Sequence, residues 1–233
     1  MSYEYVLFPL TIFLMSLSTS TKGTLYLDAN LLPIYGLIKP KRTQSNVNLV
    51  HDSADLVSQP SCWIQFGNYI EGFWNGVITD SKNADNLIEQ SNMRTVNGKE
   101  RQIDHHFRLR LDEDEEEEVW YLECKNNLAF DSQKTKAANL GILELVKALL
   151  AQKSGYFCPT IATVPDNLYK KYKNKGITVY GVNDILEVID APFTSDEYFA
   201  YFKQCKPLWR GLLGVETPDK VSQRRLKCSL DLL

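Results

Sequence analysis

The sequence predicts a mixed α/β fold, in which antiparallel hairpins precede a helical crossover to a further strand. Apolar residues recur at helical spacing between residues 64 and 79, two candidate hairpins lie within residues 91–126, and helical periodicity returns after Asp131. The chain has 233 residues, of which 44% are hydrophobic and 24% charged. It is long enough for one domain with extensions, and its composition excludes wholesale disorder and collagen-like classes.

The first predicted helix covers residues 64–79. Its apolar positions fall on one face at this spacing, and they are Ile64, Phe66, Tyr69, Ile70, Phe73, Trp74, Val77 and Ile78. Glycines at positions 67, 72 and 76 each disfavour a helix by about 1 kcal/mol relative to Ala, unless they permit close packing. A shorter helix within residues 25–37, interrupted at Pro33, is also compatible with the sequence.

Two hairpins are predicted next. Asn97-Gly98 is a strong turn signal because both residues accept the positive φ of a type I′ turn, and it separates candidate strands 92–96 and 99–111. The acidic run 112–118 then leads to strand 118–125. Like charges repel, so this run is expected in an exposed loop.

The remaining elements follow a helix that starts at Asp131 or Ser132 and is expected to end at Gly155. They are a β-rich run over 156–164, a polar helix over 166–173, a short buried strand within 177–182, a turn or helix capped by Asn183, and a helix over 194–204. The resulting order is α, β, β, β, α, β, then a further helix and strand, which indicates a mixed sheet.

Three segments are expected along the chain. Residues 1–62 form an N-terminal segment that is a candidate for DNA contact or dimerisation, residues 63–190 form the core, and residues 191–233 form a helical and basic extension. The apolar stretch 5–17 is too short to span a membrane, which needs about 20 residues. The absence of a basic residue before it favours a buried segment, and an export signal is the alternative.

The net charge is −3, but it is unevenly distributed. Without the seven acids of residues 112–118, Lys and Arg outnumber Asp and Glu, and basic clusters occur at 39–42, 170–175 and 224–227. Polyanion binding is therefore allowed. The five cysteines are widely spaced without a Cys-x-x-Cys pair, which favours free thiols in a reducing compartment over zinc or disulfides.

Three residues indicate a candidate site. Glu123 and Lys125 are two apart on one predicted strand, so both side chains leave the same face. A turn centred near residues 114–115 would place Asp104 directly opposite Lys125 and diagonal to Glu123. Two adjacent carboxylates favour a hard divalent cation such as Mg²⁺, and a neighbouring ammonium can contact a phosphate and the attacking water. The backbone carbonyl of Cys124 is a further candidate ligand.

Asp104 and the Glu123-Cys124-Lys125 segment resemble the PD-(D/E)xK nuclease motif, and the predicted element order matches the core of that superfamily. Within it, the chain is most similar to type II restriction endonucleases over about residues 64–190. The helix segment 67–78 resembles the helix that precedes their sheet, and Glu71 matches the acid that joins the metal site. Ile103 stands where the family usually has proline.

This resemblance implies a restriction-endonuclease-like core and a Mg²⁺-dependent, sequence-specific double-stranded DNA endonuclease. Mn²⁺ is expected to substitute for Mg²⁺. It also implies a homodimer that reads a palindromic site, no membrane association, a prokaryotic cytoplasmic location and a cognate DNA methyltransferase in the host. Asp104, Glu123, Lys125 and Glu71 are the expected catalytic residues, with Asp104, Glu123 and the Cys124 carbonyl on the metal.

Other residues are secondary candidates. Asp112 and Asp114 compete with Asp104 by composition, and Gln133 and Lys134 at a helix start are candidate auxiliaries. His106 shares the face of Asp104 and is a candidate at the metal edge, although a structural histidine is the commoner case. Arg108 and Arg110 share that face too, and either contact phosphates or pair with the acidic run.

Three other functions stay open. The same core could serve a repair or junction-resolving nuclease, or a DNA-binding protein without catalysis. If residues 5–17 are an export signal, the chain would be a secreted nuclease. The bases recognised, the cleavage pattern and the number of metal ions per site do not follow from the sequence.

Overall fold

The computed structural model describes residues 21–31, 33, 59–88, 92–110, 117–126, 132–173 and 176–206. The apolar stretch 5–17, the basic clusters 39–42 and 224–227, and Asp112 and Asp114 lie outside them. The elements in chain order are α1 (Lys22–Asn30), α2 (Gln59–Asp80), β1 (Ala84–Asn86), β2 (Met93–Val96), β3 (Lys99–Gln102), β4 (His105–Leu109), β5 (Glu118–Cys124), α3 (Ser132–Leu149), β6 (Lys153–Phe157), α4 (Asp166–Lys173), β7 (Thr178–Tyr180), α5 (Val182–Leu186) and α6 (Ser195–Gln204).

The chain divides into two compact units. One unit comprises Phe66–Ser195, and the other combines Met1–Gln65 with Asp196–Leu233. In the second unit, the Thr21 side chain caps the N-terminus of α1 and donates a hydrogen bond to Glu197. A Cβ at Gly23 would clash with the Glu197 carboxylate, so a larger residue would require this side chain to move. No helix in the described part of the chain is long and apolar enough to cross a membrane.

The larger unit contains a five-stranded mixed sheet in the order β1-β4-β5-β6-β7. The β1–β4 and β4–β5 pairs are antiparallel, whereas β5–β6 and β6–β7 are parallel. Helix α3 makes the crossover from β5 to β6, as a parallel connection requires. The predicted mixed α/β fold is confirmed, with a central sheet flanked by helices.

The strands that precede β5 differ from the prediction. The predicted strand 99–111 is broken at Ile103 and Asp104, and its first part pairs with β2 as a separate two-stranded sheet. Asn97 and Gly98 have positive φ values of 52° and 74°, which confirms the hairpin turn. One edge of the main sheet is instead β1, which the sequence analysis did not predict because Ala84–Asn86 lacks the apolar and β-branched residues that indicated β7 at the other edge.

The two faces of the sheet carry different layers. On one face, Trp74 of α2 packs edge-on against Phe157, at 4.9 Å between ring centroids, and Phe107 stacks on Trp120. Neighbouring strand residues point the opposite way. On the other face, Tyr121 and Tyr156 therefore belong to a buried cluster. This cluster also contains Ile142 and Leu145 of α3, Tyr172 of α4 and Val179 of β7.

The helix boundaries correct two predictions. Helix α3 ends at Leu149, and Leu150 follows with a φ of 54°. Gly155 does not end the helix but lies inside β6, where a Cβ would approach the Thr178 carbonyl oxygen to 2.2 Å. Gly181, rather than Asn183, is the N-cap of α5. Glycines 72 and 76 of α2 have open space around them, so close packing does not explain them.

Candidate active site

The candidate site lies where the start of β4 meets the end of β5. The observed pairs, such as His105 with Leu122, differ by two residues from the register expected from the sequence. Continuing this register places Asp104 opposite Glu123, so the predicted placement opposite Lys125 was wrong. A shift of two residues preserves the face on which each side chain lies. Asp104, Glu123 and Lys125 therefore still share one face.

One ammonium joins the two carboxylates. Lys125 Nζ lies 2.6 Å from Glu123 Oε1 and 3.7 Å from Asp104 Oδ2. The two carboxylate oxygens are thus separated by no more than the sum of these distances. The Asp104 Oδ2 also accepts a hydrogen bond of 2.8 Å from the backbone N–H of Cys124. This bond fixes the Asp104 side chain against the end of β5.

Asp104 is 5% exposed and lies among other acids. Burial is the largest cause that raises its pKa, and the carboxylates of Glu123 and Glu71 add to it, so the pKa of Asp104 reaches about 7. Lys125 and the Cys124 N–H act in the opposite direction but do not compensate. The ionised form of Asp104 is therefore disfavoured in the metal-free protein.

Lys125 is a stable cation in this environment. Burial favours loss of its proton, but the carboxylates of Glu123 and Asp104 outweigh burial and raise the pKa of Lys125. A lysine with a raised pKa is a poor general base at neutral pH. The structure therefore favours an electrostatic role for Lys125 over proton abstraction.

Helix α2 supplies a third acid. Glu71 Oε1 accepts a hydrogen bond of 3.1 Å from Gln102 Nε2, at the end of the hairpin strand β3. Burial raises the pKa of Glu71, and the hydrogen bond from Gln102, which acts to lower it, does not compensate. The charges of Lys125 and Glu123 also act on Glu71, so the structure brings together all four residues that the sequence analysis selected as catalytic.

Two supporting residues were missed. Asn75 lies one helical turn after Glu71; its side-chain amide donates to the backbone carbonyl of Asp104 at 2.8 Å and hydrogen-bonds with His105 Nδ1 at 2.8 Å. The Tyr121 hydroxyl donates a hydrogen bond of 2.7 Å to Glu123 Oε2. The spacing from Glu71 and from Glu123 could have indicated both, since residues at i and i+4 on a helix, or i and i+2 on a strand, share a face.

The secondary candidates are less closely connected to the acids. His106 shares their face, but neither of its ring nitrogens has a hydrogen-bond partner in the described part of the chain, and its pKa is lowered by burial and by Arg94. Gln133 and Lys134 lie in the first turn of α3, and their side chains fall outside the described structure. The Cys124 thiol is buried, which raises its pKa well above the usual value.

The nearby arginines pair with acids. Arg108 contacts Asp85 and Glu117 at 3.3 and 3.0 Å, and Arg110 also pairs with Asp85. Glu117 belongs to the acidic run, so Arg108 makes the predicted pairing with that run, whereas Arg110 pairs with Asp85, which lies outside it. Exposed pairs of this kind contribute little to stability because water screens the charges.

The donor atoms suit a hard divalent cation. Carboxylate oxygens of Asp104, Glu123 and Glu71, with the Cys124 carbonyl, are the ligand types that Mg²⁺ prefers. With Lys125 between two of the acids, no group of three or more His, Cys, Asp or Glu side chains in the described chain is already arranged around one ion position. Metal binding would therefore require the Lys125 ammonium to move from Glu123.

Comparisons with known proteins give limited information. No known protein family matches the chain, and no curated protein matches it significantly. Among solved structures, the chain is similar to Can2 from Sulfobacillus thermosulfidooxidans, which was solved with cyclic tetra-adenylate, with 15% identity and a TM-score of 0.30. The match covers 78% of this chain, which spans half the length of Can2.

Proposed function

We propose that the chain is a Mg²⁺-dependent endonuclease that hydrolyses phosphodiester bonds in double-stranded DNA. Within this class, we propose that it is a type II restriction endonuclease. The observation that carries the proposal is the charge balance of the cluster. The side-chain charges acting on Asp104 are those of Glu123, Glu71 and Lys125. Among the described side chains, three carboxylates oppose one ammonium when every group is ionised, in a largely buried site. A divalent cation has the charge that would balance this excess.

Each residue has a distinct role in this proposal. Asp104 and Glu123, with the Cys124 carbonyl, would hold Mg²⁺, and Glu71 would support the site from α2. When bound, the ion would lower the pKa of a water ligand and offset charge on the scissile phosphate. Lys125 remains protonated, and its ammonium would contact the same phosphate and orient the attacking water. The side chains thus provide positioning and electrostatic stabilisation.

The test is digestion of plasmid DNA with Mg²⁺ and with a chelator, using wild type, Lys125→Ala and Lys153→Ala. Lys153 also contacts a glutamate, Glu118 at 3.3 Å, but at the other end of β5. We expect Lys125→Ala to lose about 10²–10³-fold in rate, the range for removing one electrostatic contact to the transition state. Lys153→Ala should cut at close to the wild-type rate. Undiminished cleavage by Lys125→Ala would refute the site.

The products separate the alternatives. Discrete fragments with identical ends indicate a restriction enzyme, whereas fragments without a common end sequence indicate a repair or other nuclease on the same core. DNA binding without cleavage in Mg²⁺ or Mn²⁺ indicates a non-catalytic binding protein. For a restriction enzyme, we further expect a homodimer by light scattering, and protection of host DNA by a cognate methyltransferase.

A further inference from the structure

The Glu123 carboxylate has two different partners. Its Oε1 contacts the Lys125 ammonium at 2.6 Å, and its Oε2 accepts a hydrogen bond from the Tyr121 hydroxyl at 2.7 Å. The Lys125 ammonium lies at the end of a flexible side chain that is 30% exposed, whereas Tyr121 is fully buried. One oxygen is therefore held by a movable cation and the other by a fixed neutral donor.

Packing fixes the position of the Tyr121 hydroxyl. The ring lies in the buried cluster between the sheet and α3, with Ile142, Leu145 and Tyr156 among its members. Tyrosine has two rotatable side-chain torsions, and a buried ring holds both near one rotamer. A tyrosine phenol has an ordinary pKa of about 10, so at neutral pH the hydroxyl is protonated and donates the hydrogen bond to Glu123 Oε2.

We propose that Tyr121 is a positioning residue that retains Oε2 of Glu123 and leaves Oε1 as the single oxygen through which Glu123 binds the divalent cation. The proposal rests on the metal-dependent function given above. Hydrogen bonds from buried partners commonly orient metal ligands, and their loss lowers metal affinity or activity by about 10- to 100-fold. Without the hydrogen bond from Tyr121, the Glu123 carboxylate could rotate or bind the cation with both oxygens.

A second tyrosine provides a matched control. Tyr156 lies on β6 directly beside Glu123 and is as buried as Tyr121. Its hydroxyl, however, donates to Asn139 Oδ1 at 2.8 Å instead of to Glu123. Tyr156→Phe therefore removes a buried hydroxyl from the same cluster without removing a hydrogen bond to Glu123.

The experiment measures Mn²⁺ binding by the full-length protein without DNA, using electron paramagnetic resonance of free Mn²⁺. We expect Tyr121→Phe to weaken Mn²⁺ binding about 10- to 100-fold, and Tyr156→Phe to leave it within about threefold of wild type. Cleavage gives an independent measurement. The Mn²⁺ concentration for half-maximal rate should rise in Tyr121→Phe, while kcat at saturating Mn²⁺ stays near wild type, a separation that general destabilisation would not produce.

Each outcome has one meaning. Wild-type affinity in a folded Tyr121→Phe protein would overturn the role of Tyr121 but leave the proposed nuclease function intact. Failure of the wild type to bind Mn²⁺ and to cut DNA would overturn both. If Tyr121→Phe does not fold, a crystal structure of the wild type with Mn²⁺ decides. Binding through Oε1 alone, with Tyr121 still on Oε2, supports the proposal, and a bidentate Glu123 refutes it.

Discussion

Replacing Asp104 by Asn should stabilise the metal-free protein at pH 8 and change its stability little near pH 4. The pKa of Asp104 is raised in the folded protein from 3.8 to about 7, first by burial and then by the Glu123 and Glu71 carboxylates. The folded state therefore holds this proton more tightly than the unfolded state. Its contribution to stability is complete below about pH 4 and is lost as the pH rises through about 7.

The size of the effect follows from the same change in pKa. At about 1.4 kcal/mol for each pH unit, a change from 3.8 to about 7 corresponds to an upper limit of about 4 kcal/mol at pH 8. Asn is neutral at all these pH values and its oxygen can still accept the Cys124 N–H bond that Asp104 accepts. Its amide does not reproduce every contact of a protonated carboxyl, so we expect a gain of about 2–4 kcal/mol.

Urea unfolding of wild type and Asp104→Asn, with a chelator at pH 4, 6 and 8, measures the effect. Asp85→Asn provides a control of opposite sign. Hydrogen bonds and charge from Arg110, with Arg108, lower the pKa of Asp85, so its contribution is present at neutral pH and lost as the pH falls. Asp85→Asn should therefore destabilise at pH 8. If Asp104→Asn is no more stable than wild type at pH 8, the description of Asp104 as a disfavoured charge is wrong.

The remaining predictions concern the scaffold. Gly155→Ala should destabilise the protein by about 1–3 kcal/mol in urea unfolding, because its Cβ would lie 2.2 Å from the Thr178 carbonyl oxygen. The control Gly72→Ala, with open space in α2, should stabilise by up to about 1 kcal/mol; equal effects would contradict the packing. Asn75→Ala should cost about 1–3 kcal/mol in thermal unfolding because it removes bonds to Asp104 and His105, whereas Asn68→Ala on the exposed face of α2 should cost under about 0.5 kcal/mol.

Local patterns predicted the long elements and also the short strands β2 and β7, but they missed β1. Helix α2 and strand β5 have enough apolar residues for their period to be recognised, and Asn97-Gly98 predicts its turn from backbone conformation alone. Strand β1 has three residues, and it forms because β4 provides hydrogen-bond partners. Such pairing depends on contacts distant in sequence, so no local pattern in Ala84–Asn86 could reveal it.

The same limit applied to the candidate site. The face shared by Glu123 and Lys125 follows from the period of two in a strand, and Asp104 joins them in either register because both registers have the same parity. The specific partners depend on depth of burial and rotamer. The sequence therefore indicated Glu71 but gave no reason to select Gln102 as its hydrogen-bond donor.

The arrangement of the acids differs from an ordinary ion pair at the end of a strand, in the way that the proposed function requires. A pair selected for stability would balance its charges, because an uncompensated buried charge is costly. Here the acids disfavour the ionisation of Asp104. Besides the Lys125 ammonium, each acid has a neutral hydrogen-bond donor: Gln102 for Glu71, Tyr121 for Glu123, and the Cys124 N–H for Asp104. Neutral donors orient carboxylates without cancelling their charge. Under the proposed function, they would preserve the negative potential that attracts a divalent cation, and the raised pKa of Asp104 predicts a corresponding loss of stability in the metal-free protein at high pH.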